Sequence, residues 1–293
     1  MSVKVLLDTD IGTDIDDAVC LAYLLVHPDC DLLGITTVTG EAEKRAMLAS
    51  AICRRAGRDI PIYPGAEHPL VIEQHQPRAQ QAEALGSWDH QTRFPRGEAV
   101  AFMRETIRKH PGEVTLLSIA PLTNLGLLFS VDPDIPSLLK GLVMMCGLFH
   151  GPIPNYGPLE WNAIGDPHAS AIVYRAPVKV HRSVGLDVTS RVSMRAEEFR
   201  RGFRSDLFAP IQDFANVWFR EWPGTTFHDP LAAAAIFNPD VCGFTRGNVE
   251  IELGDQHAMG LTRWTEDPAG RHEVAFDVNP SAFFAHFRSI VQP

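Results

Sequence analysis

The stretch from Val3 to Leu25 constrains the fold more than any other part of the chain. Its apolar beginning, VKVLL, is followed by five aspartates within ten residues and then by an almost wholly apolar segment, Ala18 to Leu25. An apolar run rich in Val and Leu predicts a strand buried on both faces, and the later segment predicts a buried helix. The aspartates are Asp8, Asp10, Asp14, Asp16 and Asp17. We therefore expect them at the carboxyl end of a first strand, where open α/β sheets bind ligands.

This acidic cluster predicts a cation site. Like charges a few ångströms apart disfavour joint ionisation, and burial increases that cost. A hard divalent cation with oxygen ligands would relieve it. Asp16 and Asp17 also fall in the first turn of the predicted helix, where the helix dipole favours anions. The simpler alternative, a solvated turn with a capping aspartate, accounts for one or two such residues but poorly for five.

Strands and helices alternate along the rest of the chain. Further strands are predicted at residues 31–38, 61–65, 114–119, 142–146 and 178–186, with strands of exposed character between 241 and 278. Helices are predicted at residues 42–56, 97–109, 121–129, 166–174, 195–202, 206–221, 229–237 and 281–291. Residues 66–96 have no clear periodicity and predict a long loop or broken helices. The pattern predicts one Rossmann-like α/β domain over residues 1–293, whose mostly parallel sheet is flanked by helices on both faces, with the active site at the C-terminal ends of the strands.

The composition of the chain argues against several classes of binding partner. The formal net charge is −10 and no Lys/Arg run is present, so nucleic acid is not expected to bind. The five cysteines are scattered without a C-x-x-C pair, which favours buried free thiols over disulfides or zinc ligands. The beginning of the sequence lacks the pattern of a signal peptide and no apolar stretch reaches transmembrane length, so we expect a cytoplasmic protein without a membrane partner.

Three more groups of polar residues follow predicted strands or open predicted helices. They are Ser118 to Asn124, Glu160 to Asn162, and His228 to Pro230. Taken alone, Pro121 to Asn124 would be interpreted as the start of a helix, with Pro near its first turn. Taken alone, His228 and Asp229 would be interpreted as a helix cap. Because all three are expected at the same edge of the sheet as the aspartates, we interpret them as parts of one site.

Taken together, these stretches resemble the calcium-dependent nucleoside hydrolases, the inosine-uridine-preferring family. The motifs that carry the resemblance are D-T-D-I-G at 8–12, D-D-A at 16–18, I-T-T-V-x-G at 35–40, P-L-T-N at 121–124, M-x-G at 145–147, E-x-N at 160–162, an approximate D-P-x-A-A-x-x-V at 166–173, G-L-D-V-T at 185–189 and H-D-P at 228–230. Their order and spacing cover nearly the whole chain. Each motif is weak alone, and the series is strong.

The resemblance implies a Ca²⁺ site. Its ligands would be the carboxylates of Asp10, Asp17 and Asp229 and the backbone carbonyl of Ile119. The ion would bind the ribose 2′ and 3′ hydroxyls and a water, and it would lower the pKa of that water. The implied partner is a small-molecule nucleoside, and the implied assembly is a homodimer or homotetramer.

The resemblance also implies roles in catalysis and sugar binding. Asp10 would be the general base on the water, and Asp16 would bind a ribose hydroxyl. Glu160 and Asn162 would hold the far side of the sugar, with Asn155 beside them. An oxocarbenium-like transition state is expected, as in glycoside hydrolysis generally.

Departure of the base also needs assistance. His228 is the candidate general acid, and the alternative is that it only orients Asp229 or caps the helix. An aromatic shelf for the base could come from Trp161, Trp222, Tyr156 or Phe227, since stacking tolerates different bases.

Three departures from the family pattern leave questions. Thr13 and Asp14 are extra residues in the opening motif, so Asp14 could take the ribose contact in place of Asp16. Glu41 stands where the family often has Asn, which alters or removes a sugar contact. The family's H-G-x-x-G segment is absent, and Gly86 to His90 occupies that region, so preference among bases stays open.

Two other functions remain as alternatives. The stretch LLDTDIGT also resembles the motif of haloacid-dehalogenase-like phosphatases, in which Asp8 would be the nucleophile and Asp10 the acid/base, with Mg²⁺ as the metal. That interpretation does not use His228 or Asp229. The second alternative is a catalytically silent calcium-binding member of the hydrolase family.

Overall fold

The strands follow the predicted alternation. The computed structural model describes residues 2–153 and 156–292 of the chain. The strands are β1 (Val3–Thr9), β2 (Cys30–Thr37), β3 (Ile62–Pro64), β4 (Val114–Ser118), β5 (Gly141–Met144), β6 (His181–Ser183), β7 (Ser193–Arg195), β8 (Gly224–Thr226), β9 (Cys242–Ile251), β10 (Thr262–Glu266) and β11 (His272–Val278).

Helices lie between most of these strands. They are α1 (Asp16–Val26), α2 (Ala42–Arg55), α3 (Ala99–Lys109), α4 (Thr123–Val131), α5 (Ile135–Leu138), α6 (Trp161–Gly165), α7 (Pro167–Arg175), α8 (Leu186–Thr189), α9 (Ala196–Gly202), α10 (Ala209–Trp218), α11 (His228–Phe237) and α12 (Pro280–Val291). Two 3₁₀ segments, Gln80–Ser87 and Asp206–Phe208, complete the elements. In the part of the chain that the structure describes, no helix is long and apolar enough to cross a membrane.

Most of the strands join one mainly parallel sheet. Its order among the described residues is β10-β9-β11-β6-β5-β4-β1-β2-β3. Neighbours from β3 to β11 pair in parallel, while β9 pairs antiparallel with both β11 and β10. Strands β7 and β8 form a small separate sheet. The predicted α/β fold class is therefore confirmed, and the exposed strands expected near the end of the sequence form the antiparallel edge.

The sheet order reverses direction at β1. The chain runs outward from β1 to β2 and β3, and then returns to place β4 on the other side of β1. Asp8 at the end of β1 is paired with Thr36 on one side and Ser118 on the other. A crevice opens at the carboxyl ends of strands where the order reverses. The acidic cluster therefore lies at the switch point of the sheet.

Apolar side chains cover both faces of the sheet. On β1, Val5 and Leu7 belong to one core cluster and Leu6 belongs to the other, as the alternation along a strand requires. The first cluster includes the buried faces of α1 and α11, and the second includes those of α4 and α7. Burial on both faces explains why the central strands read as continuous apolar runs.

The strand predicted at residues 178–186 is shorter than expected. It ends at Ser183, and the backbone N–H of Leu186 donates to the carbonyl of Gly147 at 2.8 Å. The chain therefore leaves the sheet early and turns into α8, which ends at Thr189. This departure places Thr189 beside the site, which the apolar pattern alone does not predict.

Candidate active site

A cavity of about 570 Å³ opens at the carboxyl ends of the central strands. The acidic residues that line it are Asp10, Asp14, Asp16, Asp17, Glu160 and Asp229. Ile119, Asn162 and His228 line it as well. The structure thus brings together all but one of the catalytic, sugar-binding and metal-binding residues that the sequence indicated. The remaining one, Asn155, lies outside the described residues.

Three carboxylates form a compact group in this cavity. Oxygen atoms of Asp16, Asp17 and Asp229 all lie within 4.8 Å of one another. The first two residues are in the first turn of α1 and the third is in the first turn of α11, so two helix N-termini converge on the group. The backbone N–H of Asp229 donates to Oδ2 of Asp16 at 3.2 Å, which fixes the two helices relative to each other.

Asp10 lies beside this group but outside the closest set. Its side chain is only 7% exposed, and its Oδ2 accepts a 2.9 Å hydrogen bond from the side-chain amide of Gln76. Thr9 donates through its hydroxyl to Asp17, the next carboxylate of the cluster. Asp10 is therefore held at the edge of the group, with one oxygen engaged by a neutral donor.

The electrostatics of the group fit a bound cation. Burial raises the pKa values of Asp16, Asp17 and Asp229 well above their usual range, and mutual repulsion among the carboxylates raises them further. Burial also raises the pKa of Asp10, which Arg45 and Gln76 oppose. A divalent cation would favour the ionised forms of these groups, and carboxylates are the donors that hard cations prefer. The residues present therefore suit a hard divalent cation.

The extra residues Thr13 and Asp14 are braced from the neighbouring long loop. The hydroxyl of Thr13 accepts a 2.7 Å hydrogen bond from Gln76, and Gln81 donates to the carbonyls of Thr13 and Asp14 at 3.0 and 2.8 Å. Asp14 accepts a hydrogen bond from the backbone N–H of Ile15 and lines the cavity. Burial raises its pKa to about 7. The insertion therefore adds a carboxylate to the cavity wall.

A fully buried arginine joins the acidic loop to this long loop. Arg45 donates to the backbone carbonyls of Asp10 and Ile11 from one side, and to the carbonyl of Arg78 at 3.0 Å from the other. Its guanidinium is 0% exposed, so its charge is balanced by nearby carboxylates such as Asp10. Helix α2 thereby fixes the backbone on which Asp10 stands.

The turn before α2 is strained. Thr39 and Glu41 have φ angles of 71° and 60°, in the left-handed region that β-branched and bulky residues avoid. Such strain costs on the order of 1–3 kcal/mol per residue and persists where the surroundings enforce it. Here Glu41 accepts a hydrogen bond from the backbone N–H of Ala79 at 2.9 Å. Glu41 therefore anchors the long loop and does not line the described cavity.

Glu160 and Asn162, at the start of α6, also line the cavity. Both oxygens of Glu160 accept backbone N–H groups, from Asn162 at 2.7 Å and from Gly147 and Ala163 at 2.8 and 2.9 Å. The side-chain amide of Asn162 donates to the carbonyl of Met145 at 2.9 Å. Glu160 is thus the cap of α6, and a carboxylate with about four acceptor positions retains roughly one for a ligand.

His228 faces the cavity from the start of α11. Its Nδ1 lies 2.7 Å from the hydroxyl of Thr189, at the end of α8. Burial lowers its pKa from 6.5 to about 4, so the imidazole is neutral at pH 7 in the ligand-free site. A neutral ring bonded through Nδ1 leaves Nε2 for a substrate.

Aromatic side chains surround the mouth of the cavity. Trp161 and Trp222 are about half exposed there, and Tyr156 stands edge-on to His228 with ring centroids 6.2 Å apart. Trp218 also lines the cavity and stacks on Trp222. Phe227 does not line the cavity. It is fully buried against Phe203 and Phe283, so the suggestion that it forms a shelf for the base is wrong.

The environment of Asp8 disfavours the phosphatase alternative. Asp8 is 0% exposed, does not line the cavity, and accepts hydrogen bonds from Thr36 at 2.6 Å and Asn124 at 2.8 Å. Burial raises its pKa to about 7. A nucleophile must reach its substrate, and this carboxylate instead ties β1 to β2 and α4 from behind the site.

Sequence reasoning missed three residues of the site. Gln76 comes from a segment without periodicity, and Trp218 belongs to a helix whose cavity-facing side carries no motif. Arg45 is one charge among several on α2, and nothing in its neighbourhood marks it as buried. Only the length of the loop containing Gln76 was a signal, because long loops in compact domains are often functional.

Comparisons with known proteins agree with this fold and site. Residues 5–285 match the family model described as inosine-uridine preferring nucleoside hydrolase. The chain is 29% identical to uridine nucleosidase 1 of Arabidopsis thaliana, over 89% of this chain and 83% of that protein. It is 26% identical to the pyrimidine-specific ribonucleoside hydrolase RihB of Escherichia coli, over 88% and 86% of the two chains. The fold matches the purine-preferring ribonucleoside hydrolase of Gardnerella vaginalis with a TM-score of 0.87, at 22% identity and 98% coverage of both chains.

The fold and the acidic cavity are those of an α/β protein with a candidate metal site at the carboxyl ends of its parallel strands. The chain belongs to the inosine-uridine preferring nucleoside hydrolases, a family of N-glycosidases. Members of this family hydrolyse ribonucleosides to free base and ribose.

Proposed function

We propose that this protein cleaves the N-glycosidic bond of ribonucleosides with Ca²⁺ as its metal. The proposal is carried by one observation: the carboxylates of Asp16, Asp17 and Asp229 meet within 4.8 Å in a cavity that His228 also lines. Asp10, Asp17 and Asp229, together with the backbone carbonyl of Ile119, would hold the ion. When bound, Ca²⁺ supplies positive charge that orients hydroxyl groups and acidifies a coordinated water.

Asp10 is the proton acceptor in this proposal. Its Oδ2 is occupied by Gln76, so Oδ1 is the oxygen left to take a proton from the attacking water. The bond between the water oxygen and the anomeric carbon forms as the bond from that carbon to the base nitrogen breaks. The proton of the water passes to Asp10, and the electron pair of the broken bond leaves with the base.

The cavity wall stabilises the sugar as it becomes positively charged. Asp16, and Asp14 beside it, would accept hydrogen bonds from ribose hydroxyls, while Glu160 and Asn162 hold the opposite side. Preorganised carboxylates around an oxocarbenium-like centre stabilise it without reorganising during the reaction. Asn155 is proposed for the same wall on the family resemblance alone.

His228 assists the departing base. Because burial holds its pKa at about 4, the ring is neutral before the reaction and offers Nε2 to the base nitrogen. With the Thr189 hydroxyl at Nδ1, the ring proton is on Nε2. As the bond to the base breaks, Nε2 passes this proton to the base nitrogen, and the ring regains a proton from solvent. Trp161, Trp222 and Tyr156 line the side of the cavity from which the base would leave.

Substitution of Asp10 tests the assignment of the base. Asp10→Ala removes the proton acceptor and one proposed metal ligand, so turnover of every nucleoside should fall below detection while the protein still folds. The assay is release of reducing sugar, with the thermal melt as a check of folding. Near-normal turnover in the folded variant would refute the assignment.

We also propose that the enzyme is cytoplasmic, forms one domain over residues 1–293, and assembles as a homodimer or homotetramer. The five cysteines are free and buried, which suits a reducing compartment. The continuous sheet with both faces covered supports the single domain. The assembly is proposed from the family resemblance, and light scattering of the purified protein would measure it.

A further inference from the structure

The side-chain amide of Gln76 connects two functional parts of the cavity. Its Nε2 donates to Oδ2 of Asp10 at 2.9 Å and to the hydroxyl of Thr13 at 2.7 Å. Its Oε1 accepts a 2.6 Å hydrogen bond from the indole N–H of Trp161. A primary amide has two N–H donors, and both are used here. One buried side chain therefore joins the opening loop, the proposed base and an aromatic wall residue.

The loop that carries Gln76 is built to hold this position. We call residues 65–79 the Gln76 loop. Its two ends are tied to the strained turn: Thr39 N–H donates to the carbonyl of Ala66 at 2.8 Å, and Glu41 accepts from Ala79 N–H at 2.9 Å. Gln74 accepts hydrogen bonds from the backbone N–H of Gln76 at 2.8 Å and from the hydroxyl of Thr39 at 3.3 Å. Gln76 itself is 7% exposed although it lies in a surface loop.

We propose that Gln76 is a positioning residue that sets the orientation of the Asp10 carboxylate and ties it to Trp161. This inference rests on the proposed role of Asp10 as proton acceptor. By occupying Oδ2, the amide prevents rotation of the carboxylate and directs Oδ1 to the reacting water. By accepting from the indole N–H, it fixes the distance between the proton acceptor and a residue that lines the base side of the cavity. Gln76 does not itself need to touch the substrate.

Four single variants separate these contacts. Gln76→Met keeps the side-chain length and removes all three hydrogen bonds. Gln76→Glu keeps an acceptor for Trp161 but removes the donor to Asp10. Trp161→Phe removes only the indole donor and keeps an aromatic ring. Gln81→Met is the matched control, because Gln81 braces the carbonyls of Thr13 and Asp14 from the same region without contacting the Asp10 carboxylate.

We expect the Gln76 variants to change mainly kcat and the Trp161 variant to change mainly KM. Residues that orient catalytic groups cost about 10- to 100-fold in activity when removed. In both Gln76 variants, kcat should fall about 10- to 100-fold. In Gln81→Met, kcat should fall less than about 10-fold. Trp161→Phe should retain kcat and raise KM. A Gln76→Met protein that melts like the wild type and loses no more kcat than Gln81→Met would overturn the proposal.

A spectroscopic measurement tests the contact without using activity. The indole N–H resonance of Trp161, assigned by its loss in Trp161→Phe, should move upfield in Gln76→Met and stay close to its wild-type position in Gln76→Glu. An unmoved resonance in Gln76→Met would overturn the coupling to Trp161. If the wild-type protein releases no ribose, it is the proposed function that fails, and the resonance still reports whether Gln76 holds Trp161.

Discussion

The backbone N–H of Asp229 donates a 3.2 Å hydrogen bond to the carboxylate of Asp16, across 213 residues of sequence. This bond brings the first turns of α1 and α11 together, so that Asp16 and two of the proposed metal ligands, Asp17 and Asp229, share one space. Helix α1 carries Asp16 and Asp17, and helix α11, which follows β8, carries Asp229. Metal binding is therefore coupled to the correct packing of two distant parts of the chain.

Asp229→Asn should change stability in opposite directions with and without metal. Without metal, it removes one charge from a buried group in which burial and repulsion raise the pKa values, so the variant should melt above the wild type. With Ca²⁺ well above its Kd, the wild type should gain roughly 5 °C or more in Tm, whereas the variant should gain little. Thermal melts in chelator and in Ca²⁺ measure both effects. Asp31→Asn, at a partly exposed position paired with Lys4, is the control and should change neither. A wild-type shift preserved in Asp229→Asn would contradict the metal assignment.

His228→Ala should discriminate between leaving groups. General acid catalysis contributes roughly 100- to 10,000-fold, so turnover of inosine or uridine should fall within that range. A nitrophenyl riboside, whose leaving group needs no proton, should lose much less. Steady-state kinetics on both substrates give the comparison.

Thr189→Val is the companion variant for His228. It removes the hydroxyl next to Nδ1 but leaves the ring in place, so its loss should be smaller and in the same substrate order. Equal losses on both kinds of substrate in His228→Ala would show that the ring serves only to orient Asp229.

Gly40→Ala should impair turnover while sparing metal binding. A Cβ at Gly40 would lie 2.5 Å from backbone atoms of Pro77, so the Gln76 loop would have to move. Displacement of about 1 Å at a catalytic geometry can cost on the order of 100-fold in rate. The Ca²⁺-dependent shift in Tm should persist, because two of the proposed ligands, Asp17 and Asp229, are on helices outside this loop.

The control for Gly40→Ala is Gly86→Ala in the nearby 3₁₀ segment. A Cβ at Gly86 meets nothing within 4 Å, so kcat should stay at the wild-type value. Unchanged kcat in Gly40→Ala as well would argue that the position of the Gln76 loop does not matter for the reaction.

A buried histidine far from the cavity should make stability depend on pH. Burial, and then the neighbouring His272, hold the pKa of His181 at about 3 in the folded protein, against 6.5 as its ordinary value. Because the folded-state pKa is the lower one, the unfolded chain takes up a proton first as the pH falls. The stability present above pH 6.5 is therefore lost on acidification, at about 1.4 kcal/mol per pH unit from this group.

His181→Phe should flatten that dependence. Urea unfolding at several pH values between 6.5 and the folded-state value of about 3 gives the slope of the unfolding free energy. In the variant, the unfolding free energy should fall less steeply as the pH decreases, by about 1.4 kcal/mol per pH unit, because one proton fewer is taken up on unfolding. This difference in slope is expected whatever the stability of the variant at neutral pH. A slope in His181→Phe equal to that of the wild type would mean that His181 titrates normally in the folded state.

The sequence was sufficient to predict the fold and the edge of the sheet where the site lies. Apolar runs predict buried strands such as β1 and β4. Polar residues directly after parallel strands lie together, because the carboxyl ends of those strands share one edge of the sheet. Asp10, Glu160 and His228 were predicted in this way, and all three line the cavity. The short helix α8 was not, because its start depends on a contact between Leu186 and Gly147 that no local pattern encodes.

Contacts between distant loops were beyond sequence reasoning. Gln76 matters because of Asp10 and Trp161, which are 66 and 85 residues away in the chain. Neither hydrophobic periodicity nor charge spacing records such a contact. The prediction for Phe227 was wrong because its position next to His228 in the sequence does not show that its ring points into the core.

The central claim is tested most directly by measuring the products from a panel of purine and pyrimidine ribonucleosides. The protein is assayed as purified, after treatment with a chelator, and after Ca²⁺ is restored. We expect free base and ribose in equal amounts from at least one nucleoside, loss of both products in chelator, and recovery with Ca²⁺. Absence of ribose release from every nucleoside in the presence of Ca²⁺ would contradict the account, and phosphate release from phosphomonoesters instead would support the phosphatase alternative.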